Sequence, residues 1–183
     1  GLLTGTTDLG LCLAFSHDCK WFATGGRDAI VRIWDVHTLD CVAMLEAADG
    51  NVRALDFSAE GDLLAADESG SLRVFDATTW SLKAQYHISG EVYFGAMFSD
   101  DQSWIAAGGR HQVGRVFNVS DEGHVLTAEL DDGHTEWIQG VAFSPRDNTL
   151  ATAGKDGVIQ LWAVGNTKLR PRSLVGHQGR VWG

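Results

Sequence analysis

The sequence predicts an all-β chain made of four copies of one four-stranded unit, and three observations carry that prediction. A phrase ending in Phe-Ser recurs along the chain. A second phrase ending in an aromatic follows each copy at a constant distance. The stretches between them are turn sequences rich in Gly and Asp, and no segment keeps a helical period. The 22 glycines stand beside only 2 prolines in 183 residues, with no collagen-like period, so glycine marks tight turns between short strands.

The first phrase reads LCLAFS (11–16), VRALDFS (52–58), GAMFS (95–99) and GVAFS (140–144). Its phenylalanines Phe15, Phe57, Phe98 and Phe143 are 42, 41 and 45 residues apart. The second phrase reads VRIWD (31–35), LRVFD (72–76), GRVFN (114–118) and IQLWA (159–163), and its aromatics Trp34, Phe75, Phe117 and Trp162 follow by 18 or 19 residues. Two markers that keep step through four units define a repeat. In the fourth unit, strands are expected near 137–143, 149–153, 158–163 and 168–174. Ser144-Pro145-Arg146-Asp147-Asn148 and Lys155-Asp156-Gly157 form the turns. Asp156-Gly157 predicts a type I′ hairpin with both residues left-handed. The whole units span about 6–47, 48–88, 89–133 and 134–175. Leu2-Leu3-Thr4-Gly5 reads as the closing strand of a repeat, and Gly176-His177 begins another, so 1–5 and 176–183 are expected to be fragments. The chain opens on Gly1 rather than Met, as a processed or excised segment would.

Composition narrows the function. The formal charge of −10, from 14 Lys+Arg against 24 Asp+Glu, disfavours nucleic acid and anionic membranes as partners. Cys12, Cys19 and Cys41 are odd in number and lack C-x-x-C spacing, which argues against a disulfide framework or a zinc site and for a reducing compartment, cytoplasm or nucleus. No phosphate-binding loop, G-x-S-x-G, H-E-x-x-H or EF-hand pattern occurs, so no enzyme, cofactor, metal or small-molecule substrate is expected. His17-Asp18-Cys19 sits in a hairpin turn where adjacent side chains do not converge on one reacting atom. Asn118-Val119-Ser120 is a formal glycosylation acceptor without a secretory context.

Gly133-His134, Val141-Ala142-Phe143-Ser144-Pro145, Leu150-Ala151-Thr152 and Asp156 to Trp162 together resemble the WD-repeat (WD40) β-propeller family, as do Thr24 to Asp28 and Val31 to Asp35. The resemblance implies a ring of about seven blades, of which this chain, 1–183, is a section; a closed ring of four blades is the alternative. It also implies a buried His, Ser/Thr, Asp and Trp tetrad in each blade. Unit four has all of it in His134, Thr152, Asp156 and Trp162. Unit one has Thr24, Asp28 and Trp34, with Thr6 in the histidine's place. Unit two carries Ala48, Ala65, Ser69 and Phe75 there, and unit three Ser89, Ala107, His111 and Phe117, so both are expected to lack the network, to rely on packing and to open before unit four.

The same resemblance implies partner binding on the narrower face of the ring. Before the tetrad Asp position stand Arg27, Glu68, Arg110 and Lys155. Three and five places after the histidine position stand Leu9 and Leu11, Asn51 and Arg53, Val92 and Phe94, Trp137 and Gln139, and Arg180 and Trp182. Arg27, Arg53, Phe94, Arg110, Trp137, Lys155, Arg180 and Trp182 therefore form a candidate rim, basic and aromatic, suited to a protein or peptide partner that is acidic or phosphorylated. The expected role is a non-enzymatic interaction scaffold. The alternative is a regulatory WD40 module of a larger multidomain enzyme or of a ubiquitin-ligase adaptor.

Overall fold

In the computed structural model, residues 8–46, 49–119, 125–165 and 170–182 are described, and these contain sixteen strands and no helix. The strands form four antiparallel four-stranded sheets in sequence order. The first holds β1 (Gly10–Phe15), β2 (Trp21–Gly26), β3 (Ile30–Asp35) and β4 (Cys41–Glu46). The second holds β5 (Val52–Phe57), β6 (Leu63–Asp67), β7 (Ser71–Phe75) and β8 (Leu82–His87). The third holds β9 (Tyr93–Phe98), β10 (Trp104–Gly109), β11 (Gly114–Asn118) and β12 (Val125–Leu130). The fourth holds β13 (Ile138–Phe143), β14 (Thr149–Gly154), β15 (Val158–Ala163) and β16 (Arg172–Val175). In the fourth sheet the outer strand is described as Arg172–Val175, and the expected start at 168 lies outside the described residues.

The chain divides into two compact units, Gly1–Gly90 and Glu91–Gly183, each with two sheets. In the first unit, one face of the first sheet supplies Ala23, Val31, Ile33 and Leu45, which bury against Val52, Leu55, Phe57 and Leu63 of the second. In the second unit, Ala106, Val116 and Leu130 of the third sheet bury against Leu150 and Trp162 of the fourth. Alternating side chains on a pleated strand let each sheet bury a face in this way.

Two turns recur with the same backbone, one shared by the first and third sheets and one by all four. The β1–β2 and β9–β10 turns open on Ser16 and Ser99, whose hydroxyls accept from the amides of Trp21 (2.9 Å) and Trp104 (3.0 Å) and donate to Asp18 and Asp101 (2.7 Å each). The turn joining the second and third strands places one residue in the left-handed region in every sheet: Ala29 (φ 60°), Gly70 (86°), Gln112 (66°) and Gly157 (79°). The type I′ expectation at Asp156-Gly157 is thereby corrected. Only Gly157 is left-handed, because the Asp156 carboxylate folds back to accept the Val158 amide at 3.0 Å, which a right-handed or extended Asp permits.

Candidate functional site

In the fourth sheet, His134 lies in the segment before β13, Thr152 on β14, Asp156 in the turn after it and Trp162 on β15. His134 Nδ1 is 3.0 Å from Asp156 Oδ2, and its Nε2 is 2.7 Å from Thr152 Oγ1, which also accepts from Trp162 Nε1 at 2.9 Å. Burial pushes the Asp156 carboxyl up, but the amides of Thr135 and Val158 and the His134 ring outweigh it, and the group lies below the usual carboxylate range. Gly133 and Gly154 make room for the network. A Cβ on Gly154 would run into Asp156 and His134, and one on Gly133 into the Trp162 ring. Thr152 and Trp162 are fully enclosed, and His134 is buried beside them.

The first sheet keeps the Trp34 Nε1 to Thr24 Oγ1 bond at 2.9 Å. Its Asp28 pairs with Arg32 at 2.8 Å, both side chains almost wholly buried. Thr6 and Ala48 lie outside the described residues.

The expectation that units two and three rely on packing alone does not hold. In the second sheet, Asp67 accepts from the amides of Ser69 (2.8 Å) and Ser71 (3.0 Å), from the Ser69 hydroxyl (2.6 Å) and from Arg73 Nη1 (3.0 Å); Arg73 also reaches Asp49 at 2.6 Å. In the third, Arg115 makes a short ion pair with Glu91 and lies 3.4 Å from Glu129. Burial pushes the Tyr93 phenol beside them upward. Ion pairs have replaced the tetrad.

Strand register explains how. Arg32, Arg73, Arg115 and Gln160 occupy one position, two residues before the closing aromatic, and all four are buried. Gly26, Asp67, Gly109 and Gly154 occupy another, at the end of the second strand. Where a tetrad fills the space, that position must be glycine. In the second sheet the space is free, and Asp67 grows into it to meet Arg73. The signal was present in the sequence as the Arg of VRIWD, LRVFD and GRVFN against the Gln of IQLWA.

The candidate rim residues are set by a repeated backbone bond. The amides of Arg27, Glu68, Arg110 and Lys155 donate to the carbonyls of Leu9, Asn51, Val92 and Trp137 at 2.8 to 3.1 Å. Each blade end thus presents one such side chain at the same place. The two units use it differently. In the first unit, Glu68 accepts from Arg53 Nε at 2.5 Å and from Asn51 Nδ2 at 2.8 Å, so the Arg53 charge is spent internally, while Arg27 is exposed. In the second unit, Phe94 stacks on Trp137 with centroids 5.6 Å apart, and the same Trp137 ring carries Lys155 Nζ at 4.6 Å and Arg110 at 5.4 Å. Glu136, which sequence reasoning passed over, pairs with Lys155 at 3.2 Å. Arg180 lies over the Trp182 ring at 6.0 Å, Trp182 is 67% exposed, and the Val181 amide donates to the Gly154 carbonyl at 3.1 Å.

Among the described residues no three His, Cys, Asp or Glu side chains group as metal ligands, and no helix is long and apolar enough to cross a membrane. The Asp18 carboxylate is occupied by the Ser16 hydroxyl and the Lys20 amide rather than turned to His17. Burial pushes the Cys12 thiol up to about 12, away from thiolate chemistry. The Asn118 amide donates to the Ser103 carbonyl at 3.3 Å, and Ser120 lies outside the described residues.

The profile of WD40, the WD domain or G-beta repeat, matches residues 3–35, 39–76 and 122–163. The chain is similar to periodic tryptophan protein 2 of Arabidopsis thaliana, 27% identical over 84% of this chain and 17% of that protein. It is similar to target of rapamycin complex subunit LST8 of Mus musculus, 26% identical over 93% of this chain and 56% of that protein. It is also similar to anaphase-promoting complex subunit cdc20 of Dictyostelium discoideum, 26% identical over 82% of this chain and 31% of that protein. The chain therefore spans about half the length of the second and less of the others.

Proposed function

The chain belongs to the WD40 repeat family, and we propose that within it this protein is a non-enzymatic interaction scaffold that presents blade-end side chains to a protein or peptide partner. Two of the similar proteins are by name subunits of complexes, which favours the same kind of role here. The observation that carries the reading is the cation–aromatic group of the second unit, Phe94, Arg110, Trp137 and Lys155. Half-buried aromatics beside the exposed Arg110 and the half-buried Lys155 match the composition of interface anchors, and a guanidinium binds carboxylate or phosphate through paired hydrogen bonds. An acidic segment, plain or phosphorylated, is the partner this chemistry suits. The four blades belong to a larger ring of about seven, and the protein works in the cytoplasm or nucleus. Reversing Arg27, Arg110 and Lys155 to Glu abolishes capture of the acidic partner in affinity purification. An unchanged set of captured proteins rejects the reading.

A second reading has support in the lengths. The chain matches only 17% of one similar protein and 13% of another, apoptotic protease-activating factor 1 of Mus musculus. In that reading the blades are one regulatory module of a longer, multidomain chain, such as an enzyme or a ubiquitin-ligase adaptor.

A further inference from the structure

The cation–aromatic group of the second unit contains an acid that the partner reading leaves unused. Glu136 Oε2 lies 3.2 Å from Lys155 Nζ, and Lys155 sits 4.6 Å above the Trp137 ring. Lys155 is thus held twice, by a carboxylate and by a π-face; its side chain is 24% exposed, against 46% for Glu136. Arg110 is exposed over the same ring and has no carboxylate within ion-pair distance among the described residues. The three charged side chains therefore sum to a single positive charge, and that charge belongs to Arg110. Asp156, next in the chain, points inward onto His134 and two backbone amides, and contributes only further negative charge.

We infer that Glu136 selects the charge of the ligand: it leaves one uncompensated cation, Arg110, and so fits this group to a single carboxylate flanked by apolar residues rather than to a phosphorylated segment. The inference rests on the reading that this group binds an acidic segment, and narrows that reading to one anion. A carboxylate on the Arg110 fork makes two parallel hydrogen bonds and brings the sum over Arg110, Lys155 and Glu136 to zero. A phosphoryl group carries about −1.5 to −2 at pH 7 and leaves an excess negative charge beside Glu136. Like-charge repulsion at a partly solvated surface weakens binding on the order of tenfold. Phe94 and Trp137, half-buried and stacked, supply the apolar contact for the residues beside the acid.

The test uses two degenerate peptide pools that differ only in a fixed central residue, Glu or phosphoserine, each flanked by Leu, Phe and Trp. Both are titrated by fluorescence anisotropy against the full 183-residue chain. The Glu pool binds on the order of tenfold more tightly than the phosphoserine pool. Glu136→Gln raises the phosphoserine pool to parity or above and leaves the Glu pool no weaker, while Glu136→Asp keeps the original ratio. Arg110→Ala, at an exposed side chain, weakens both pools. A phosphoserine pool that binds wild type as tightly as the Glu pool overturns the inference and leaves the partner reading standing, as does a ratio unmoved by Glu136→Gln. Failure of both pools to bind wild type overturns the two together.

Discussion

The second and fourth blades fill the same buried space with opposite chemistry. The fourth uses a neutral hydroxyl and indole around one His–Asp contact, closed over two glycines. The second uses a full ion pair, Asp67 with Arg73, grown from the position that is Gly154 in the fourth. The difference teaches that the blade needs its interior polar groups satisfied more than it needs particular residues. It also implies different fragility. A hydrogen-bonded tetrad loses its members one bond at a time, whereas a buried ion pair that loses one partner strands a charge.

The largest expected effect follows from that asymmetry. Asp67→Ala takes from the buried Arg73 its buried carboxylate, leaves it Asp49, whose side chain is 72% exposed, and costs about 3–5 kcal/mol. Asp156→Ala costs about 1–3 kcal/mol, because Thr152 still holds His134 Nε2 and the freed amides border solvent. Urea unfolding followed by tryptophan fluorescence ranks the two, and equal costs break the comparison. Asp67→Gly combined with Arg73→Gln, which writes the fourth blade's Gly154 and Gln160 into the second, recovers at least about 2 kcal/mol of the Asp67→Ala loss.

How much of this was legible in the sequence divides along the same line. The four-stranded repeat was readable because its two markers repeat with fixed spacing, and the tetrad of the fourth blade because each member is a distinct polar residue at a family position. The replacements in blades two and three were not, because a Ser, Ala and Phe at tetrad positions look like loss. Compensation came from elsewhere: Asp67 stands at a glycine's position and Glu91 two residues beyond Ser89, with the burial of Arg73 and Arg115 visible only once strands are paired. At the rim, charge counting located the basic residues but missed their counter-charges. Glu68 and Glu136 neutralise Arg53 and Lys155 through contacts that net charge does not report.

A smaller effect tests the aromatic that distinguishes the blades. Trp162→Phe gives the fourth blade the residue its second and third counterparts already have, Phe75 and Phe117. It removes the 2.9 Å bond to Thr152 Oγ1, yet His134 still satisfies that hydroxyl, so the cost is about 1–2 kcal/mol including the lost ring volume. A cost above that of Asp67→Ala, measured by the same urea titration, would show that the fourth blade depends on its tetrad as strongly as the second on its ion pair.

Acid sharpens the contrast further. The Asp156 carboxyl lies below its ordinary 3.8 in the folded protein, so it contributes stability above that value and loses it as pH falls through the folded pKa. Exposed Asp35 and Asp76, held low by the turn amides of Thr38 and His37 and by Thr79 and Thr78, titrate in the same direction and set a background common to both variants. Thermal midpoints are therefore flat from pH 7 to about 5 and fall below about 4, and Asp156→Asn flattens part of that fall. An acid limb unchanged in Asp156→Asn assigns the whole of it to the exposed turns.

The smallest effect tests whether the turn geometry common to all four sheets is indifferent to what fills the interior. Gln112 adopts φ 66° where the second and fourth sheets have Gly70 and Gly157. A side chain in the left-handed region costs about 1–2 kcal/mol, and glycine in the unfolded chain returns about 0.5–1 kcal/mol of that as entropy. Gln112→Gly therefore stabilises by up to about 1 kcal/mol. The reverse change, Gly157→Ala, meets the same backbone strain and in addition sets a methyl 3.1 Å from the carbonyls of His177 and Gly179. It destabilises by about 1–2 kcal/mol. Opposite signs in the two variants make this turn an independent, shared device. Equal signs would tie its conformation to the network beneath it.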